Sequence, residues 1–368
     1  MEMPVLDEVL FSRGLISSGT SGALARFRKK LENREPVVYA AIGGSITEGA
    51  SATDPSRNYA SLFAAWLGRK TACRMINAGV GATSSMFGAF RAQQEMLCGE
   101  PDIVTVEFAV NDTTSPDVAA GYEALVRQCV ASPKKPLVIL LFTMRRDGMN
   151  LQDKHIPVGR HYGLPMLSYR DALYPEITAG KLAWETISPD EVHPNDLGHA
   201  FLADMLERFL DTAAAPAGGD ALPGLLDPRA ARYLDGEVVS AARMKILENR
   251  GWTSYDHGRG YTGLESATPG SYLKAAVKSG TAQIGFIKYA GDFGKCRVRV
   301  DGADFCELDG FYEKPEIQKW AGGHTVLQPL VEAAPGTEHV IEIELLAERH
   351  PKSGGNQFKI GYVLCGKQ

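Results

Sequence analysis

The chain has 368 residues, more than a single core usually holds, so two domains are expected. Its composition, 44% hydrophobic and 23% charged, is that of a globular protein, and a formal net charge of −5 argues against a nucleic-acid or polybasic membrane-surface partner. No apolar run of about 18 residues is present, and MEMPVLDEVLFSRG lacks the basic start and apolar core of a secretory signal, so no membrane span and a cytoplasmic location are expected.

Residues 1–35 form a lead-in. Thr20 and Ser21 precede ALARFRKKLENRE, which predicts a capped amphipathic helix, with the charges from Arg26 to Arg34 on a solvated face. From Pro36 onwards strands and helices alternate. PVVYAAI is a short apolar strand running into Gly43-Gly44-Ser45. A helix is predicted over Tyr59–Lys70, a strand over Cys73–Val80 and a helix over Ser85–Met96. A strand follows over Asp102–Val110, with Asn111-Asp112 just past its end. Val118–Ala131 reads as helix, Pro136–Thr143 as strand, Asn150–Tyr162 as helix and LPMLSY as a short strand. The segment HPNDLGH leads into a closing helix, Gly198–Leu210. This alternation predicts an α/β domain over 36–211, its parallel sheet covered on both faces.

Residues 212–224, TAAAPAGGDALPG, read as a linker. Beyond it, over 225–368, helical periodicity fades. KAAVKSG, TAQIGFIKY, GKCRVRVDG, ADFCELDG, HVIEIELLAE and FKIGYVLCG are short runs separated by turn residues, which predicts an antiparallel, jelly-roll-like β-sandwich. The six cysteines (73, 98, 129, 296, 306, 365) are scattered without a CxxC pair. They read as reduced thiols and give no zinc spacing.

Four short motifs stand at predicted strand ends: GGS (Gly43–Ser45), GVG (Gly79–Gly81), ND (Asn111-Asp112) and DEVH (Asp190–His193). Together they hold what acyl transfer requires. A serine hydroxyl is a poor nucleophile until a base takes its proton. His193 is the candidate base, and Asp190, three residues earlier, can hold its other ring nitrogen. The oxyanion needs fixed donors, for which the N–H groups of Ser45 and Gly81 and the amide of Asn111 are candidates. The competing reading of Ser45 is a mere helix cap. The chemistry needs no metal or other cofactor, and no His/Asp/Glu spacing suggests a metal. His199 reads as a surface or capping residue. His155, His161, His339 and His350 read as structural or solvent-facing. Glu107, on the third strand, would need a partner if buried, with Arg145 or Arg146 as candidates.

In this order and setting the four motifs resemble the blocks of the SGNH (GDSL-type) hydrolases, over about residues 36–210. The blocks read GGSITEG, NAGVGATS, AVND and DEVHPNDLGH. The resemblance implies a three-layer α/β/α, flavodoxin-like domain with Ser45 as nucleophile, Gly81 and Asn111 as oxyanion donors, and Asp190 and His193 as the acid–base pair. Gly44 stands where the family often has Asp, and Ala109 where it often has Gly.

For the substrate, the polar loop Ser51–Asn58 offers Asp54, Arg57 and Asn58 to sugar hydroxyls, against the alternative of an ordinary solvated turn. The β domain reads as a brace, a module for homo-oligomer formation or a carbohydrate-binding module. Loops predicted at 251–263, 309–325 and 350–357 carry Trp252, Tyr255, Tyr261, Tyr312, Trp320 and His324, residues suited to sugar faces or to the sandwich core. The pairing of the two domains resembles two-domain carbohydrate esterases that deacetylate hemicelluloses such as mannan, which implies an oligosaccharide ester as substrate. The alternatives are another short-chain ester or thioester hydrolase, lipase-like in kind, and a binding protein on an inactive hydrolase fold.

Overall fold

The computed structural model describes residues 6–215, 218–219, 221–313, 324–332 and 336–366. Two compact units are present, Met1–Ala231 and Arg232–Gln368. The first unit extends beyond the compositional linker at 212–224, because the N–H groups of Leu226 and Asp227 donate to the Glu123 carboxylate.

The first unit is built on strands β1 (Leu15–Ser18), β2 (Val37–Gly43), β3 (Cys73–Gly79), β4 (Ile103–Glu107), β5 (Leu137–Phe142) and β6 (Pro165–Ser168), in the order β1-β6-β5-β4-β2-β3. β2 to β6 are parallel. β4 and β5 are buried along their whole length, which explains their unbroken apolar sequences. The parallel strands follow the flavodoxin-like order, whose switch point lies between β2 and β4. Ser45 follows β2 and Asn111 follows β4, so both stand at that switch point.

The helices are α1 (Glu8–Gly14), α2 (Ala23–Glu32), α3 (Ser45–Glu48), α4 (Tyr59–Lys70), α5 (Ser85–Glu95), α6 (Pro116–Ala131), α7 (Gln152–His161), α8 (Tyr169–Thr178), α9 (Trp184–Ile187) and α10 (Asp196–Thr212). One core gathers Phe27, Tyr39, Phe63, Leu141, Leu206 and Phe209. Three sequence expectations need correction. α2 is capped by Gly22, without a side-chain cap bond, rather than by Thr20 or Ser21. The lead-in is more than a helix, because β1 joins the sheet antiparallel to β6. α8 and α9 also went unpredicted between β6 and the last block.

The second unit is a sandwich of antiparallel sheets. Its strands are β7 (Glu237–Ser240), β8 (Lys245–Arg250), β9 (Thr253–Gly258), β10 (Tyr261–Ser266), β11 (Tyr272–Lys278), β12 (Thr281–Lys288), β13 (Lys295–Val300), β14 (Ala303–Asp309), β15 (His324–Glu332), β16 (Glu338–Leu345) and β17 (Phe358–Gly366). One sheet runs β15-β12-β17-β10-β9, with β7 also on β17, and the other runs β14-β13-β16-β11-β8. Residues such as Leu273, Val298, Ile343 and Phe358 fill the space between them. The stretch 251–263, read as a loop from its aromatics and glycines, is largely the β9–β10 hairpin. All six cysteines are free.

Candidate active site

β2 ends on glycines because nothing larger fits. A Cβ on Gly43 would lie 2.1 Å from Thr47 Oγ1, and one on Gly44 would lie 2.3 Å from Asn111 Oδ1. The chain then turns into α3 with Ser45 as its first residue.

Ser45 Oγ lies 2.9 Å from His193 Nε2, and His193 Nδ1 lies 2.8 Å from Asp190 Oδ2. A carboxylate only accepts, so Nδ1 carries the ring proton and Nε2 is left to accept from the serine. Asp190 Oδ1 accepts the N–H groups of Val192 and His193, each at 2.8 Å. Burial pushes the Asp190 carboxyl up, but the backbone and ring bonds of His193 and the Val192 N–H outweigh it and hold it below its ordinary value. The loop is anchored from behind. Trp184 Nε1 donates to the Asp190 carbonyl at 2.5 Å, and Ser188 Oγ lies 2.7 Å from the His193 carbonyl. Arg146 pairs with Glu185 and Glu191.

Among the donors at this end of the sheet with no acceptor among the described residues are the N–H groups of Ser45 and Ala82 and the Asn111 Nδ2. Unengaged donors around a nucleophile are what an oxyanion requires. Gly81 departs from expectation, because its N–H already donates to Glu48 Oε2 at 2.9 Å and is not free in this arrangement. Its missing side chain still matters, since a Cβ there would come within 2.8 Å of that oxygen and 3.6 Å of the Ser45 Cβ.

Beneath the nucleophile turn lies Glu107, which is fully buried. Its partners are Thr143 Oγ1 at 2.7 Å and Thr47 Oγ1 at 3.1 Å, not Arg145 or Arg146. Burial raises its carboxyl to about 7, against the opposing pull of the Thr143, Thr47 and Gly44 bonds. The buried guanidinium of Arg91 reaches the carbonyls of Ala78 (2.5 Å) and Gly43 (3.2 Å), tying the ends of β3 and β2 together. Asp112 accepts Ser85 N–H at 2.8 Å and lies 3.0 Å from His155 Nε2, so buried His155 braces the residue next to Asn111. His199 is fully buried rather than on the surface, its Nδ1 accepting the N–H of Tyr59 at the start of α4.

The proposed sugar contacts of the polar loop have local uses. Asp54 caps the turn Pro55–Arg57, accepting Ser56 N–H at 2.8 Å. Asn58 is 3% exposed and caps α4 through the Ser61 N–H, out of reach of a substrate hydroxyl. Arg57 pairs with Asp196 at 3.1 Å and keeps an exposed side chain. In the second unit Trp252 belongs to the core. Tyr255 and Tyr261 are half-buried, and Tyr255 Oη lies 2.8 Å from His257 Nδ1. Trp320 lies outside the described residues, and His324 is the first residue of β15. No group of three or more His, Cys, Asp or Glu suited to a metal occurs among the described residues.

Residues 41–201 match the GDSL-like lipase/acylhydrolase family. The fold is similar to that of a two-domain esterase active on acetylated mannans, seen both alone and co-crystallised with mannopentaose. The likeness has a TM-score of 0.87 and 27% identity, over 97% of this chain and 98% of that one. An acetylxylan esterase from Geobacillus stearothermophilus matches 48% of this chain and 94% of its own, at 18% identity and a TM-score of 0.41. No curated protein matches the sequence.

Proposed function

We propose, for a chain whose catalytic unit belongs to the GDSL-like lipase/acylhydrolase family, that it is a serine esterase removing O-acetyl groups from carbohydrate. Hemicellulose-type oligosaccharides, mannan among them, are the substrate class. The observation that carries the chemistry is the continuous bond chain Ser45–His193–Asp190 beside unengaged donors. Support for the substrate class comes from the likeness, over both units, to an esterase active on acetylated mannans.

In this reading His193 Nε2 takes the Ser45 proton as Oγ attacks the acetyl carbonyl. Asp190 stabilises the imidazolium. The oxyanion is met by the N–H groups of Ser45 and Ala82 and by Asn111 Nδ2. The sugar alkoxide leaves with the proton held by His193, and the acetyl group stays on Ser45. Water, deprotonated by His193, then attacks the acyl-serine and releases acetate.

The second reading, a lipase-like hydrolase of other short-chain esters or thioesters, rests on the breadth of the matched family. Acetate release from acetylated manno- and xylo-oligosaccharides, set beside triglyceride and acyl-thioester cleavage, separates the two. The carbohydrate reading expects glycan acetate release to dominate, and dominant thioester or triglyceride cleavage would overturn it. Ser45→Ala should abolish every one of these activities.

A further inference from the structure

The nucleophile turn and the end of β3 are joined closely. Val80 N–H donates to the Gly43 carbonyl at 3.0 Å. Asn77 donates from Nδ2 to the Thr47 carbonyl at 2.8 Å, and its Oδ1 accepts Gly79 N–H at 2.8 Å. A Cβ on Gly79 would lie 2.2 Å from the Glu48 nitrogen, so the two backbones touch here. Past Val80 the chain leaves β3 and turns towards α5. Thr83 Oγ1 closes that turn on itself, donating to the Val80 carbonyl at 2.7 Å. Glu48, the last residue of α3, ties it to the helix that bears the nucleophile, with Oε2 accepting Gly81 N–H at 2.9 Å.

The next residue, Ala82, has φ +57°. An L-residue holds that left-handed conformation only where its neighbours over-determine it. The Glu48 bond falls on the residue immediately before it. With Gly81 N–H taken by a carboxylate, the next backbone donor of this turn, the N–H of Ala82, has no acceptor among the described residues.

We propose that Glu48 is a positioning residue for acyl transfer. By holding Gly81 N–H it locks the Val80–Thr83 turn to α3, keeping Ala82 left-handed with its N–H facing the oxyanion formed at Ser45. The inference rests on the esterase reading of the site. Its bond is to the turn backbone, so in this reading Glu48 acts on the transition state and not on ground-state binding.

The test compares Glu48→Ala and Glu48→Gln with the parent chain on an activated acetyl ester, together with inhibition by a small boronic acid. Such an acid adds to Ser45 Oγ, while the serine proton passes to His193, and the resulting tetrahedral boronate places an oxygen where the oxyanion forms. Glu48→Ala should lower kcat about ten- to hundredfold with KM within about twofold, and boronate affinity should fall by the same factor as kcat. Glu48→Gln, whose amide oxygen accepts the same N–H, should stay within about threefold of the parent. Should Glu48→Ala not fold, Glu48→Met keeps the side-chain stem without the acceptor and is read in the same way. An alanine variant with parental kcat, or one that loses kcat while boronate affinity is unchanged, overturns the assignment of Glu48. Ser45→Ala, run alongside, keeps the two claims apart: activity surviving there overturns the esterase reading itself.

Discussion

In the first unit the polar side chains that matter are gathered at one end of a sheet and bonded to one another. Ser45, His193 and Asp190 form one chain, Glu107, Thr47 and Thr143 a second, and Asp112, Ser85 and His155 a third. In the second unit charged side chains are spread along strand faces and pair across neighbours, as Lys295 does with Glu307 and Lys274 with Glu342. The second of these groups, Glu107 with Thr47 and Thr143, is buried throughout and holds its geometry in a low dielectric, whereas the sandwich pairs reach water and are partly screened. The bonded chain of Ser45, His193 and Asp190 lies in the first unit, and the second is built around an apolar layer.

That contrast can be broken at several depths. The largest effect belongs to the relay. His193→Ala should cost about 10⁴-fold or more in kcat, and Asp190→Asn at least about 10²-fold, with thermal unfolding little changed. A small loss in either, measured on an activated acetyl ester, would mean that the bonded chain is not the catalytic one. A cavity in the sandwich should do the reverse. Ile343 is 1% exposed, and Ile343→Ala should cost the second unit about 2–5 kcal/mol in denaturant unfolding while hydrolysis of the small ester continues at the parental rate.

Glu107 sharpens the comparison, because a buried acid couples stability to pH. In the unfolded chain its carboxyl titrates near the ordinary 4.5, and in the fold at about 7. Between those values the folded state binds more protons, so the stability this group contributes is full below the lower value and is lost as pH rises through the upper one. Glu107→Gln should therefore flatten the fall in stability between about pH 5 and about pH 8, by at most about 3 kcal/mol. An unchanged slope in urea unfolding at the two pH values would show that the carboxyl titrates normally. The smallest effect is expected on the sandwich surface. Lys295→Ala removes an exposed pair and should leave the melting temperature within about 2 °C.

How much of this was legible in the sequence follows the same division. β4 and β5 lie deep in a parallel sheet, and buried strands must be apolar throughout, so their runs announced them. β8 is exposed at every position, and with nothing buried it carries no alternation to read. β9 and β10 hold glycines and aromatics that suggest a loop, yet the register between them is a hairpin. Ser45, His193 and Asp190, which the structure brings into one bonded chain, could be singled out because acyl transfer restricts residue type and because their blocks stand in the order of a known family. The groups that aim them could not. Glu48 is one more surface acid until α3 meets the turn after β3, and Glu107 looked for an arginine when two threonines sufficed. Asn58, read as a hydroxyl contact, is a helix cap, because the same amide oxygen that suits a sugar suits an orphan backbone N–H.

The account turns on an acyl group passing through Ser45, and trapping that intermediate tests it directly. The protein is mixed briefly with an activated acetyl ester, quenched in acid, and its peptides are weighed. The expected result is one acetyl group on the peptide containing Ser45, formed in a burst and absent from Ser45→Ala. Acetyl found on another residue, or turnover by Ser45→Ala at the parental rate, would contradict it.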